Sequence, residues 1–269
     1  PVQAGAARVA VQPGAPVASN AGQAAGASFT GRIASQTVAA LKRAGGVSAV
    51  YLSPANGNRE VAVLATAGFD PTRPFEVLVY NRGIEGDNTK SLEGQFLAEG
   101  LNQLNAEGRN VLLVLPKSPG DMHSWFAGNE DLGALVPEAL AQFRSLTGVQ
   151  VGAPQERWLM AHSGGGKSIQ NAMEKDDAPH FDKILLADST YGTWAEGTFA
   201  SLQATQPGTQ VATVVTQHNK ARAMEQLATH GLRVDMMPAY VHPDHNGVPA
   251  FMLAKFLPAR PSMGFSTVR

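Results

Sequence analysis

The stretch Arg157-Trp158-Leu159-Met160-Ala161-His162-Ser163-Gly164-Gly165-Gly166-Lys167-Ser168 decides how the rest of the chain is read. An apolar run ends at Ala161 and a helix-compatible stretch starts near Gly165, so Ser163 falls on a sharp turn from strand to helix. Ala161 and Gly165 flank it symmetrically. A turn this tight brings neighbouring backbone close, and only Gly or Ala fits at those two places. The same letters satisfy a second pattern, a relaxed phosphate loop from Ala161 through four residues to Gly166-Lys167-Ser168. In that reading backbone N–H groups hold the phosphates of a nucleotide.

Outward from this turn, apolar runs and helix-like stretches alternate. Residues 75–80 form a continuous apolar run suited to a strand buried on both faces. A helix over 90–107 precedes a strand at 111–115, and a helix over 132–146 precedes the strand at 158–161. A helix over 165–175 leads to a strand at 183–187, and 210–216 is a further strand. Residues 219–230 are helical in pattern, 232–237 read as the last strand, and 249–257 as a closing helix. Upstream, a short helix within 31–44 ends at Gly45-Gly46, and strands at 47–52 and 60–64 join through a hairpin signal, Pro54-Ala55-Asn56-Gly57-Asn58. The pattern predicts an α/β fold: a doubly wound, mostly parallel sheet with an antiparallel N-terminal hairpin and helices on both faces.

Composition narrows the function. The formal charge of −1 gives no reason to expect a nucleic-acid partner, and the absence of cysteine removes disulfides, a thiolate nucleophile and cysteine metal sites. No apolar run approaches the ~20 residues of a membrane span, so no transmembrane segment is expected. Residues 1–30 are rich in Ala, Gly and Gln and lack periodicity. They carry too little large apolar surface to offset the entropy of ordering them, and are expected to be a flexible tail. A tail left by signal-peptide removal looks like this, as does any flexible N-terminal extension; of the two, the first is preferred, and a secreted or periplasmic protein is expected. Residues 31–269 contain no repeat and no linker after 45, and read as one catalytic domain.

Serine becomes a nucleophile only when a base takes its proton and a third group orients that base. In a doubly wound sheet those groups must converge at the carboxyl ends of strands. Ser163 meets that condition. Asp188 ends the next apolar run, and the strand after it closes on Gln217-His218-Asn219, which offers no carboxylate. Asp188 is therefore the expected acid, its bland alternative being a helix cap. Among seven histidines the base is expected in the late segment Val241-His242-Pro243-Asp244-His245-Asn246-Gly247. His245 is preferred, because Asn246-Gly247 supplies a turn and Pro249 can start the following helix. His242, held extended before proline, reads as a loop or substrate contact, and His218 stays open as a third choice. His162 is expected to point away from the nucleophile and pack in the neighbouring turn. His242, Asp244 and His245 lack an identifiable distant partner ligand, so neither metal nor cofactor is expected. The tetrahedral oxyanion needs two N–H donors. Gly164 supplies one, and the turn Asn81-Arg82-Gly83-Ile84-Glu85-Gly86 supplies the other from Gly83 or Ile84.

These elements resemble the α/β-hydrolase superfamily over residues 47–258: Arg82-Gly83-Ile84-Glu85-Gly86 after an early buried strand, Ala161-His162-Ser163-Gly164-Gly165 at the elbow, then Asp188 and His245 in the order Ser, Asp, His. Ala161 replaces the usual first glycine of the elbow, and Arg82 stands where many members carry histidine. An acid directly after the strand following the elbow resembles a minority of members, including lipase-like ones. The resemblance implies hydrolysis of a carboxylic ester or amide in a small molecule, peptide or polymer, through an acyl-enzyme on Ser163. Arg82 is a candidate contact for an anionic substrate group, and Trp125, Tyr191, Trp194 and His242 are candidate walls of the cleft. Two other readings stay open: a nucleotide enzyme using Lys167, Ser168 and the Asp188 strand, and a noncatalytic binding protein on the same scaffold. The sequence leaves the oligomeric state open.

Overall fold

The computed structural model describes residues 8–11, 33–83, 92, 97–118, 131–175, 177–228, 230, 234–236, 244–257 and 266–268. Its strands are β1 (Arg8–Val11), β2 (Ser48–Ser53), β3 (Arg59–Ala65), β4 (Glu76–Asn81), β5 (Val111–Pro116), β6 (Glu156–His162), β7 (Lys183–Ala187), β8 (Gln210–Val215), β9 (Val234–Met236) and β10 (Ser266–Thr267). The helices are α1 (Ser35–Ala44), α2 (Ala98–Ala106), α3 (Leu132–Thr147), α4 (Gly165–Met173), α5 (Trp194–Thr205), α6 (Lys220–Ala228) and α7 (Val248–Phe256). All described strands belong to one sheet in the order β1-β2-β3-β5-β4-β6-β7-β8, with β9 and β10 both on the outer side of β8. Strands β1, β2, β3 and β5 pair antiparallel, whereas β5, β4, β6, β7, β8 and β9 run parallel. The fold class is the expected one, antiparallel hairpin included.

Strand residues alternate between two buried layers because successive side chains leave opposite faces of a sheet. Val77 and Val79, Leu112 and Val114, Leu159 and Ala161, and Ile184 and Leu186 point to the layer that holds Phe143, Ile169, Phe199 and Leu227. Leu78 and Tyr80, Leu113 and Leu115, Trp158 and Met160, and Leu185 join Leu41, Leu101, Leu253 and Phe256 on the other side. Helices α3 to α6 therefore cover one face, and α1, α2 and α7 the other. Burial on both faces is why these strands read as unbroken apolar runs.

Strand β4 sits between β5 and β6, so chain progress along the sheet reverses there. The crevice beyond the carboxyl ends of β4 and β6 is the topological switch point at which such sheets bind ligands. Arg82-Gly83 and Ser163-Gly164 both lie at that crevice, immediately after their strands.

Three elements depart from the expectations. Residues 8–11, assigned above to a loose tail, form β1 and pair with β2 from Arg8↔Tyr51 to Val11↔Ser48. Helix α5 and strand β10 were not anticipated at all. Of the sequence-predicted site residues, Ile84, Trp125 and His242 lie outside the described residues, as do most of the expected 90–107 helix before Leu97 and the tail other than 8–11.

Candidate active site

The turn between β6 and α4 is only two residues long, and Ser163 occupies it with a left-handed φ of 53°. Few residues with a Cβ adopt this conformation, and where they do the surroundings must over-determine it. Here they do. Ser163 N donates to the Ala187 carbonyl at 3.1 Å, and Ser163 O accepts from Gly166 N at 3.2 Å. A Cβ added at Gly165 would run into the Asn81 carbonyl at the end of β4, and one at Gly166 would come within 2.6 Å of Ser189 O. The small residues at the turn are thus required by the approach of β4 and of the segment after β7.

Asp188 directly follows β7 in the same backbone region, with φ 48°. Its side chain is 1% exposed and accepts four hydrogen bonds. Oδ1 takes Thr216 N at 3.1 Å and Asn219 Nδ2 at 2.9 Å, while Oδ2 takes Thr216 Oγ1 at 3.0 Å and the His245 ring at 2.6 Å. Burial alone would raise this carboxyl, but the bonds from His245, Asn219 and Thr216 outweigh it and hold the pKa below the usual value. Asp188 is therefore a carboxylate, which only accepts. The hydrogen on the His245 imidazole must then sit on Nδ1, leaving Nε2 with a lone pair.

His245 arrives from the 3-10 turn Asp244–Gly247 that leads into α7, 57 residues after Asp188. Asp244 closes that turn by accepting Gly247 N at 2.7 Å. His162 fixes it from below: its Nε2 donates to the His245 carbonyl at 2.9 Å, and the two rings lie 4.5 Å apart between centroids. Burial pushes the His162 pKa down to about 3, with nearby His245 lowering it further. His162 is thus a neutral, Nε2-protonated donor. Tyr191 packs edge-on against His245, with centroids 6.4 Å apart, and its hydroxyl accepts Asn219 Nδ2 at 3.1 Å and interacts with the Ser163 side chain. Trp194 stacks obliquely on Tyr191 at 5.6 Å.

Opposite these groups, Gly83 presses on the elbow. A Cβ on Gly83 would lie 2.6 Å from Gly164 N and 3.1 Å from the Ser163 Cβ. Among the described residues neither the Gly83 nor the Gly164 N–H donates to a carbonyl. The backbones of Gly83 and Gly164 therefore meet next to Ser163.

The structure brings Ser163, Gly164, Gly83, Asp188, His245 and Tyr191 into one cluster, with Trp194 beside Tyr191. Among the described residues no hydrogen bond joins Ser163 Oγ to the His245 ring; the serine instead faces Tyr191. Arg82, a candidate substrate contact, is 8% exposed and so mostly withdrawn from solvent. His218 is exposed and its neighbour Asn219 turns inward to Asp188. Sequence reasoning missed three residues that hold Asp188 and His245: His162, Thr216 and Asn219. The signal for Asn219 was present, since a buried carboxylate needs amide and hydroxyl donors, and Thr216 to Asn219 directly follow the adjacent strand.

Fold and crevice together define an α/β-hydrolase fold. The chain is similar to the poly(3-hydroxybutyrate) depolymerase LpqC of Bordetella parapertussis, with a TM-score of 0.54 and 14% identity, over 86% of this chain and 97% of that one. An S-formylglutathione hydrolase from Agrobacterium tumefaciens matches with a TM-score of 0.53 and 12% identity, over 77% of this chain and 92% of the other. No protein-family model matches the sequence, and comparison with curated proteins gives no match. Among the described residues no helix is long and apolar enough to cross a membrane.

Proposed function

We propose that the protein is a serine hydrolase that cleaves a carboxylic ester or amide through an acyl-enzyme on Ser163. The observation that carries this reading is the 2.6 Å contact between His245 Nδ1 and Asp188 Oδ2 beside a left-handed serine at the switch point. Asp188 holds the imidazole so that the Nε2 lone pair is the available base. In this mechanism the Ser163 hydroxyl leaves Tyr191 for that base. Nε2 takes the proton as Oγ attacks the substrate carbonyl carbon, and the Gly164 and Gly83 amides receive the negative charge that develops on oxygen. The imidazolium then protonates the leaving alcohol or amine. Water, deprotonated by the same nitrogen, attacks the acyl carbon and restores Ser163. That the two structural neighbours are by name a depolymerase and a hydrolase agrees with this reading without carrying it.

The nucleotide reading of residues 161–168 lacks comparable support. Ala161 and His162 belong to β6, Gly165 to Ser168 belong to α4, and Lys167 Nζ bonds Gln170 Oε1 at 3.1 Å. Only two residues are left to make a loop, too few to wrap a phosphate in N–H groups.

A fluorophosphonate probe tests the proposal. Stoichiometric labelling of the wild-type protein and none of Ser163→Ala is expected, together with hydrolysis of p-nitrophenyl esters or amino-acid anilides by the wild type alone. An unlabelled protein whose melting temperature rises with Mg²⁺ and ATP points to the nucleotide enzyme instead. Stabilisation by a ligand with neither labelling nor turnover points to a binding protein.

A further inference from the structure

Ser118, just beyond the end of β5, is 5% exposed and points at the peptide carbonyls of the Gly83 turn. Its Oγ lies 2.9 Å from Arg82 O and 3.0 Å from Gly83 O. Both carbonyls only accept, so the hydroxyl is the donor and its proton is shared between them. In a planar trans peptide the C=O and N–H point in opposite directions. Tying the Arg82 carbonyl to Ser118 therefore turns the Gly83 N–H away from Ser118, and Gly164 N and the Ser163 Cβ lie 2.6 Å and 3.1 Å from where a Cβ on Gly83 would sit.

The prop itself is anchored. Lys117, which precedes Ser118, donates its N–H to Glu60 O at 2.9 Å. Its carbonyl accepts Asn56 Nδ2 at 3.1 Å and Arg59 Nε at 3.1 Å. Arg59 also holds Asn56 Oδ1 at 3.0 Å. Asn56 and Arg59 are both buried at the tip of the β2–β3 hairpin. Hydrogen bonds from that hairpin thus hold Lys117, and the next residue along the chain, Ser118, holds the carbonyls on either side of the Gly83 Cα. A loop glycine has no side chain to hold its own orientation, so an outside clamp must supply it.

We infer that Ser118 is a positioning residue for the oxyanion site, clamped by the β2–β3 hairpin so that the Gly83 N–H is aimed before substrate arrives. This rests on the serine-hydrolase reading. The role acts on the transition state, because the amide is charged with work only when the carbonyl oxygen becomes anionic. The clamp differs from ordinary packing in a measurable way: it affects kcat and not KM.

The experiment compares wild type, Ser118→Ala and Ser118→Thr on one p-nitrophenyl ester, with an aryl boronic acid as tetrahedral mimic. Ser118→Ala is expected to lose ~10-fold to 100-fold in kcat with KM within twofold, in keeping with the cost of ångström-scale misplacement. Boronate inhibition should weaken by a similar factor. Ser118→Thr retains the hydroxyl and should recover most of the loss. A Ser118→Ala enzyme with kcat within twofold of wild type overturns the inference while the serine-hydrolase reading stands, as does a threonine variant that is folded yet as impaired as the alanine one. A wild-type protein that neither reacts with fluorophosphonate nor turns over ester sinks both.

Discussion

Ser163 and Asp188 directly follow neighbouring parallel strands in the same left-handed backbone conformation, φ 53° and 48°, and Ser163 N is bonded to the residue before Asp188. Among the described residues the one other non-glycine at positive φ is Asn58, in the hairpin turn. Strain of this kind costs ~1–3 kcal/mol per residue and persists where it serves function. The two strained residues are the ones that the proposed mechanism needs to project beyond the sheet.

Removing the side chain at 163 should therefore separate activity from stability. Ser163→Ala is expected to lose at least ~10³-fold in kcat, because the remaining groups have no nucleophile to serve. Ser163→Gly should be equally inactive yet more stable than Ser163→Ala by ~1 kcal/mol, since glycine adopts φ above zero without a Cβ penalty. Urea midpoints of the two variants measure the difference, and equal midpoints would contradict the strain argument.

Asp188 couples chemistry to folding through its four donors. Asp188→Asn keeps the size but offers one oxygen where two were used, and loses control of the imidazole tautomer. A fall of ~10⁴-fold in kcat is expected. Asp188→Ala should go further and strand buried donors at Thr216 and Asn219, at ~1–3 kcal/mol for each group left unsatisfied. Thermal melts alongside steady-state rates distinguish the two effects.

The buried His162 makes stability sensitive to acid. Its folded pKa, about 3, lies below the ordinary 6.5, so between those values the unfolded chain binds a proton that the folded one refuses. Above pH 6.5 both states are neutral at this position and it contributes nothing to pH dependence. As pH falls from 6.5 towards 3, stability drops by at most ~1.4 kcal/mol per pH unit. Asp188 adds to the loss only at lower pH, near and below the ordinary carboxylate range, where its depressed pKa makes the unfolded chain the better proton acceptor. Urea titrations at pH 7, 5.5 and 4.5 should show a steeper decline for wild type than for His162→Gln; parallel curves would remove His162 as the cause.

Gly165→Ala tests the tightness of the turn. Its Cβ meets the Asn81 carbonyl, a backbone atom that cannot rotate aside. Overpacking against a sheet end should cost ~2–3 kcal/mol and weaken catalysis by displacing Ser163. The mutation at Gly152, where an added Cβ meets nothing within 4 Å, is the matched control and should be nearly silent.

Much of this architecture could be read from residue order because the parallel strands are buried on both sides and stand out as apolar runs. The elbow was legible for a local reason, the need for small residues on either side of Ser163. Asp188 and His245 were reached through strand ends and chain order, and the structure puts them in contact. Helix α5 escaped notice although Ala195, Thr198, Phe199 and Leu202 are buried at helical spacing. Thr198 and Gly197 disguise the pattern, one polar and the other a poor helix former, and packing on the sheet overrides both. The role of His162 could not be seen in one dimension, since its partner carbonyl lies 83 residues away. Strand β10 is two residues long, below the length at which alternation carries information.

One rim of the sheet carries a further implication. The outer side of β8 is shared: β10 lies along Gln210 and Val211, and β9 takes Thr213 to Val215. Two short segments, one of them from the end of the chain, do the work of a single full-length neighbour. A foreign β-segment can pair with β8 along these residues only by displacing one of them. Residues 266 and 267 thereby cover the Gln210–Val211 part of the β8 edge, one strand beyond the strand that leads to Asp188.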